Sequence, residues 1–433
     1  MKIARSFNSR RWTSFFATTY SIELEFFDEY LFRRLGEPPL SATILTDAGA
    51  HARLWTSSAD ETRRLRRANR DYLLRPVLFG TGAFHPKTYL LGNASEGRLL
   101  IGSGNLTMAG VERGREVFSE FRSTEPDDVG SIRGWRQWMD GIVQRLADEE
   151  VTYRWLRLRR ECSDWLEGDA ADSRFIGTGE RSILDQFADG IDGPVDELHV
   201  IAPFYDRDAL ALKMLLDRLR PTRLHLYLGA RTSVHGPALA AVVSGFDGQI
   251  LLLEIDPLEF VHAKLVGIVA NDYGRLLAGS ANLSQAALLG AGESWANTEA
   301  CVAAELSAEE TRQAFLPADH CWRETSLHHL TELESRNGGR HPVQRGTGKN
   351  PLGCEPDNFS SAPPRSVELC ARPAHPSLEA GRANQQCTAG PGGHAFASSK
   401  TQNANGPDAA ESCAVQRPAS CLGGVLDHFY SVS

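Results

Sequence analysis

The chain has 433 residues, of which 42% are hydrophobic and 23% charged, and its formal net charge is −9. That length and balance fit a soluble globular protein of two or three domains with a sizeable core. The acidic balance excludes a protein that coats nucleic acid by bulk basicity, while a local basic groove stays compatible with it. No run of about 18 apolar residues is present, so no transmembrane helix is expected. The basic N-terminus, MKIARSFNSRRWTSFF, lacks the apolar stretch of a secretory signal. Before residue 336 the cysteines are Cys162, Cys301 and Cys321, and none forms a C-x-x-C pair. No zinc site and a reducing cytoplasm are the expectations.

In chain order, residues 21–35 (SIELEFFDEYLFRRL) read as a helix and 41–49 (SATILTDAG) as a strand. Residues 61–70 (ETRRLRRANR) carry an arginine run. On a helix Arg63, Arg66, Arg67 and Arg70 share one face, a candidate phosphate contact set against a plain solvated face. Strand-like runs follow at 75–80, 88–92, 98–104 and 116–121, and residues 131–147 read as a helix. Residues 154–160 (RWLRLRR) offer Trp155 for base stacking, but an amphipathic linker helix is the better reading. Further strands are expected at 197–204, 223–230, 249–255, 264–270, 275–281 and 299–306, with a helix at 207–220. Strands alternating with helices indicate an α/β architecture. Residues 1–165 and 175–330 form two lobes in this reading. Residues 336–433 are rich in Gly, Pro, Ser and Asn and are expected to be a disordered tail. The tail holds Cys354, Cys370, Cys387, Cys413 and Cys421 without metal-ligand spacing.

The two lobes carry an internal repeat. FHPKTYLLGNASEGRLLIGSGNLTMAG aligns with VHAKLVGIVANDYGRLLAGSANLSQAA without a gap. His85, Lys87, Ser103 and Asn105 match His262, Lys264, Ser280 and Asn282 at one offset of 177 (262 minus 85, and so for each pair). Four polar residues in one register across two half-chains is hard to obtain by chance. Each copy reads as strand, turn, strand, helix.

On a strand, residues i and i+2 share a face, so each His-x-Lys pair sets an imidazole beside an ammonium. Ser103 and Asn105, like Ser280 and Asn282, alternate onto one face. Gly102 and Gly279 permit close approach of backbone or ligand. Apparent helices after each asparagine offer N-termini to an anion. Two such motifs meeting at a lobe interface suit a phosphodiester. One imidazole attacks phosphorus and the other moves the leaving-group proton. The lysines and asparagines stabilise charge on the non-bridging oxygens. A histidine nucleophile needs a partner at its second nitrogen, and Glu116 and Glu299 are the candidates. Ser103 and Ser280 are candidates for substrate contact, set against plain turn residues. The two asparagines are set against plain helix caps. No Asp/Glu/His cluster for a metal is apparent in the sequence, and no cofactor is expected.

These residues resemble the phospholipase D superfamily, whose signature is H-x-K-x4-D followed by G-S-x-N or G-S-x-x-N. Both His-x-Lys pairs and both Gly-Ser-x-Asn tetrads stand here, and the resemblance covers about residues 10–330. It implies two similar α/β lobes, each a mixed sheet flanked by helices, related by a pseudo-two-fold axis. It also implies a phosphohistidine mechanism, with His85 as nucleophile and His262 as acid and base in the family's usual order or the reverse. The motif aspartate is missing: Gly92 and Val269 stand in its place. Members resembling tyrosyl-DNA phosphodiesterase, and some restriction-type nucleases, also lack it. Their eighteen residues from Lys to Asn recur in both copies (105 minus 87, 282 minus 264). The resemblance thus implies a metal-independent nuclease, with DNA favoured over RNA. By analogy it implies a restriction or anti-phage setting with a helicase or restriction-system partner. A phospholipid phosphodiesterase or phosphatidyltransferase, and a catalytically silent DNA-binding subunit, are the competing readings. No membrane partner is expected.

Overall fold

The computed structural model describes residues 7, 12–35, 40–56, 67–191, 193–229, 232–255, 260–316, 322–326, 328 and 429–431. All of them belong to one compact unit, Met1–Gly346 with Ser420–Ser433. Its first lobe opens on β1 (Ser14–Thr19), β2 (Ser41–Asp47) and β3 (Leu73–Val77), which run parallel. β4 (Thr88–Gly92), β5 (Gly97–Gly102) and β6 (Val117–Arg122) follow as an antiparallel meander, and β4 pairs antiparallel with β1. Every residue of β1 and β4 is buried. Such strands carry apolar or small residues on both faces rather than an alternating pattern. One face of the sheet packs on a helical segment, 24–35, through Phe15, Phe27, Tyr72 and Tyr89. The other packs on helices α1 (Pro126–Leu146) and α2 (Glu149–Glu161) through Phe16, Trp135 and Trp155.

The second lobe repeats the plan. It holds β7 (Phe175–Gly177), then β8 (Glu197–Ile201), β9 (Arg223–Leu228) and β10 (Gln249–Ile255), of which the last three are parallel. β11 (Leu265–Ala270), β12 (Tyr273–Gly279) and β13 (Ala300–Ser307) form the antiparallel meander. β14 (Trp322–Glu324) and β7 cap the edges, which gives eight strands in the order β14-β10-β9-β8-β11-β12-β13-β7. Thr18 faces Thr88 in the first lobe as Ile201 faces Leu265 in the second, so β1 corresponds to β8 and β4 to β11. The architecture expected from the repeat, two mixed sheets flanked by helices, is the one observed.

Two expectations are corrected. The helices read after each motif asparagine are single π turns, Ala109–Arg113 and Gln285–Leu289. Five residues align too few peptide dipoles for an anion site. The run 61–70 has residues 61–66 outside the described set, and 67–72 form turns rather than a helix. The tail 336–433 lies outside the described residues except Phe429–Ser431. Those three form β15, which pairs antiparallel with β6 and makes the first sheet seven-stranded. The reading of 154–160 as an amphipathic helix holds: Trp155 is buried, while Arg154 and Arg159 pair with Glu150, Asp140 and Glu167. Among the described residues no helix is long and apolar enough to cross a membrane.

The lobes are stitched by backbone. Phe84 bridges Thr298 and Arg115 bridges Val261, both in parallel sense. Thr81 and Gly82 donate their N–H groups to the Ser294 carbonyl. The fit at Gly82 is close, because a Cβ there would lie 2.0 Å from the Ala296 carbonyl oxygen. Backbone cannot move aside as a side chain can, so Gly82→Ala is expected to destabilise the protein by about 1–3 kcal/mol. Urea unfolding of this variant beside wild type measures it, and an unchanged midpoint would contradict the fit described.

Candidate active site

Both His-x-Lys motifs lie in extended segments just ahead of β4 and β11, not inside the strands. The sheet ladders therefore leave these residues free for contacts across the lobes. His85 N donates to the Thr298 carbonyl at 2.9 Å, and His262 N donates to the Arg115 carbonyl at 3.0 Å. Each backbone bond delivers a histidine of one lobe to the residue after that carbonyl in the other lobe. That residue is a glutamate both times. His85 Nδ1 lies 3.0 Å from Glu299 Oε2, and His262 Nδ1 lies 2.9 Å from both Glu116 carboxylate oxygens. The two half-sites are thus crossed, each histidine of one lobe meeting a glutamate of the other.

The glutamates are deeply placed, with side chains 0% (Glu299) and 5% (Glu116) exposed. A buried carboxylate needs donors to offset lost hydration. Ser103 Oγ donates to Glu116 Oε2 at 2.5 Å, and Ser280 Oγ makes a short bond to Glu299 Oε2. The same hydroxyls accept from the Val117 and Ala300 N–H groups. Ser103 and Ser280 are fully buried. The expectation that they touch substrate is therefore corrected: they stand behind the glutamates, one step removed from the histidines.

The lysines fold back on their own motifs. Lys87 Nζ donates to the His85 carbonyl at 2.7 Å. Lys264 Nζ donates to the His262 carbonyl at 2.8 Å and lies 3.0 Å from His262 Nε2. Among the described residues His85 Nδ1 takes the Glu299 contact and no hydrogen bond falls on its Nε2. Asn105 and Asn282 sit in tight turns, each accepting on its carbonyl from the residue two ahead. Their side-chain Oδ1 atoms are buried without a partner, the same atom in both lobes.

Burial sets the proton affinities. It pushes His85 down to about 4 against the pull of Glu299, with Lys87 and Lys264 adding to the fall. It lowers His262 in the same way, against Glu116. Lys264 falls to about 8, and Lys87 falls well below the ordinary lysine range, again chiefly through burial. Burial works to raise the glutamates, but the histidines, lysines and serines beside them leave both below the usual carboxylate range. At neutral pH the arrangement is two neutral imidazoles, each giving its Nδ1 proton to a carboxylate and keeping a lone pair on Nε2.

Several neighbours escaped the sequence reading. The Tyr20 ring meets His85 edge-on at 5.3 Å, while Phe204 and Phe260 flank His262 at 6.2 and 5.6 Å. Asp47 at the end of β2 accepts from Phe84 N. Asn297 bonds Glu299 and Ala83 together. None has a signature of its own, since each is recruited by topology. The arginine run fares differently. Arg63 and Arg66 lie outside the described residues. Arg67 pairs with Asp71 at 3.0 Å and stacks on Phe32. It and Arg70 precede the start of β3, at the end of the parallel strands opposite to Asp47 and His85. The structure does not bring Arg67 or Arg70 to the site.

Glu197, His199 and His225 form a second cluster, with ligand-type atoms within 4.8 Å of one another, on the second lobe's sheet. Glu197 is already paired with Arg223 and Arg312. Both ring nitrogens of His199 are engaged, by Glu197 and Tyr227.

No protein-family model matches the chain, and no curated protein matches it by sequence. Among solved structures, yeast tyrosyl-DNA phosphodiesterase is similar at 13% identity and a TM-score of 0.47, over 70% of this chain and 85% of that one. Phosphatidylserine synthase of Haemophilus influenzae is similar at 11% identity and a TM-score of 0.48, over 78% and 90%. Polyphosphate kinase of Porphyromonas gingivalis is similar at 12% identity and a TM-score of 0.44, over 78% and 50%. All three are members of the superfamily that the repeated motif resembles. Identities and scores at this level establish neither a shared activity nor a shared substrate.

Removing one serine leaves a buried carboxylate short of a donor. Ser280→Ala and Ser103→Ala are each expected to destabilise the fold by about 1–3 kcal/mol. Chemical denaturation checks this. Full stability in both variants would contradict the placing of the hydroxyls on Glu299 and Glu116.

Proposed function

We propose that the chain is a phospholipase D-like phosphodiesterase that cleaves by way of a phosphohistidine, without a metal ion. The observation that carries the reading is the crossed pairing of His85 with Glu299 and of His262 with Glu116. It fixes both Nδ1 atoms; among the described residues no hydrogen bond falls on His85 Nε2, and Lys264 lies beside His262 Nε2.

In the first step His85 Nε2 attacks phosphorus with its lone pair. The P–N bond forms as the P–O bond to the leaving group breaks, and His262 gives its proton to the departing oxygen. Water then attacks phosphorus and His262 takes its proton. The P–N bond breaks and His85 is restored. Lys87 and Lys264 offset charge on the non-bridging oxygens, and the amides of Asn105 and Asn282 supply hydrogen bonds to them. His85 is the nucleophile in this reading because no bond occupies its Nε2, whereas Lys264 engages Nε2 of His262.

Nucleic acid is the substrate class we favour, with DNA ahead of RNA. Support comes from the missing motif aspartate at Gly92 and Val269 and the eighteen-residue Lys-to-Asn spacing. Aromatic rings beside both histidines add surfaces on which bases can stack. A nuclease component of a restriction or anti-phage system, working with a helicase, is the biological setting this suggests by analogy. A cytoplasmic location goes with that setting.

The test is cleavage of bis(p-nitrophenyl) phosphate, single- and double-stranded DNA, RNA and phosphatidylcholine vesicles in EDTA. His85→Ala and His262→Ala are each expected to lose activity by roughly 10²–10⁴-fold. Unchanged activity in both would end the mechanism. Turnover of phosphatidylcholine but not DNA would move the substrate to lipid, and no turnover of any diester would favour a silent DNA-binding subunit.

The pH dependence follows from the same burial. The active form needs His85 unprotonated and His262 protonated. Activity therefore rises with pH through the His85 value of about 4. It falls again as His262 loses its proton below the ordinary histidine value. The kcat/KM profile is expected to peak on the acid side of neutrality, and a maximum above pH 8 would contradict the assignment.

A further inference from the structure

The two half-sites share a plan but are not equal, and one difference is a single side chain. Glu299 is 17 residues beyond Asn282, while Glu116 is 11 residues beyond Asn105 (299 minus 282, 116 minus 105). The six additional residues lengthen the segment after the π turn Gln285–Leu289. They let it reach the first lobe, where the Ser294 carbonyl accepts from Thr81 and Gly82. That segment ends at Asn297, two residues before Glu299. The residue two before Glu116 is Gly114, which has no side chain to offer.

Asn297 is held at three points. Its backbone N donates to the Ala286 carbonyl at 2.8 Å. Its Oδ1 accepts from Ala83 N at 2.9 Å, and its Nδ2 donates to Glu299 Oε1 at 3.1 Å. The amide orientation is settled by its partners: only oxygen can accept the N–H of Ala83, and only nitrogen can donate to a carboxylate. Ala83 is two residues ahead of His85. One amide thus joins the carboxylate that orients His85 to the backbone that carries His85. Among the described residues Glu116 receives His262 and Ser103 but no corresponding amide donor.

We propose that Asn297 is a positioning residue for His85, tying Glu299 to the first lobe and making the two half-sites chemically unequal. This inference rests on the phosphodiesterase reading only for its kinetic consequence. An amide N–H on Glu299 satisfies part of the carboxylate charge. The carboxylate then has less to give to a second proton on His85, so the imidazole stays neutral and its Nε2 lone pair stays available. The charged and titratable groups facing His85 are Glu299, Lys87, Lys264 and, through its ring, Tyr20. Among these only Glu299 favours the protonated ring, so a donor on Glu299 is the effective place to act.

Two variants separate the anchor from the donor. Asn297→Asp keeps an oxygen for Ala83 N–H but cannot donate to Glu299, and Asn297→Ala loses both. Histidine-labelled protein, followed by NMR titration with His85→Ala and His262→Ala giving the assignments, reads the protonation of each ring without any substrate. In both variants His85 is expected to titrate higher than in wild type by roughly one unit, with His262 unmoved. In turnover of bis(p-nitrophenyl) phosphate, kcat is expected to fall by roughly tenfold with little change in KM. The acid limb of the pH profile moves up with the His85 titration. Identical titrations of His85 in wild type and Asn297→Asp would overturn the proposal, as would equal movement of His85 and His262. A wild-type protein that turns over no phosphodiester, yet shows the selective His85 shift, would sink the phosphodiesterase reading and leave the inequality of the half-sites standing.

Discussion

The structure depends on two buried carboxylates, each anchored in one lobe and engaged by the histidine of the other. Glu116 and Glu299 sit where isolated charge is expensive, and so do Lys87 and Lys264. Two carboxylates and two lysine amines lie buried there, and burial lowers the proton affinity of both amines and of both imidazoles. Their donors and acceptors are supplied from both halves of the chain. Taking away one partner of such a set costs more than the set contributes as a whole, because the remaining charge stays buried. The lobes are therefore interdependent for an electrostatic reason in addition to their shared apolar contacts, which include Phe84 and Val302 in one cluster. The crossing also fixes the tautomers. An anionic oxygen at Nδ1 selects the form with its proton there, and the lone pair is left on the nitrogen that faces away.

The repeat shows what is constrained and what is free. The strands that flank the site keep register, so that Thr18 with Thr88 matches Ile201 with Leu265. Between β1 and β4 the second lobe is six residues shorter, since its offset falls from 183 (201 minus 18) to 177 (265 minus 88). Between the motif asparagine and the glutamate it is six longer, and the offset returns to 183 (299 minus 116). Ladder hydrogen bonds fix the parts of the sheet, while connections on the surface vary in length at little cost. The asymmetry between half-sites enters through such a connection. The longer segment brings an amide to Glu299 that a glycine cannot bring to Glu116.

Much of this was legible in the sequence, and what was not has particular causes. His-x-Lys and Gly-Ser-x-Asn in one register revealed the repeat, and the glutamates showed themselves as acids at the start of strand-like runs. That each glutamate serves the other lobe's histidine was not legible, because a sequence does not state which halves touch. The serines were misread because a hydroxyl near a reacting group looks alike whether it faces substrate or stands behind a carboxylate. Strand β1 (SFFATT) was missed altogether. It lies between β2 and β4, buried on both faces, and so lacks the alternation by which a half-buried strand is recognised. The arginine run was read as one helical face. Its described part is a turn whose Arg67 satisfies Asp71 and covers Phe32.

Residues suited to chemistry acquire it only from what surrounds them, and the second lobe holds its own comparison. By strand register, Glu197, His199 and His225 stand where the first lobe has Ser14, Phe16 and Thr43. The three are as rich in ligand and acid–base character as the groups of the crossed site, and burial with the neighbouring His225 brings His199 down to about 4, as burial does His85. Yet Glu197 is neutralised by Arg312 and Arg223, and the ring of His199 spends both nitrogens on Glu197 and Tyr227. A cation arriving there would meet two guanidinium groups before it met a free lone pair. In the crossed site the bonds are distributed otherwise: each carboxylate takes one nitrogen of its histidine and stops. What sets His85 and His262 apart from His199 in this molecule is therefore neither burial nor lowered proton affinity. It is the second nitrogen, which the fold leaves without a carboxylate or a phenol: among the described residues Nε2 of His85 takes no hydrogen bond, and Nε2 of His262 faces Lys264.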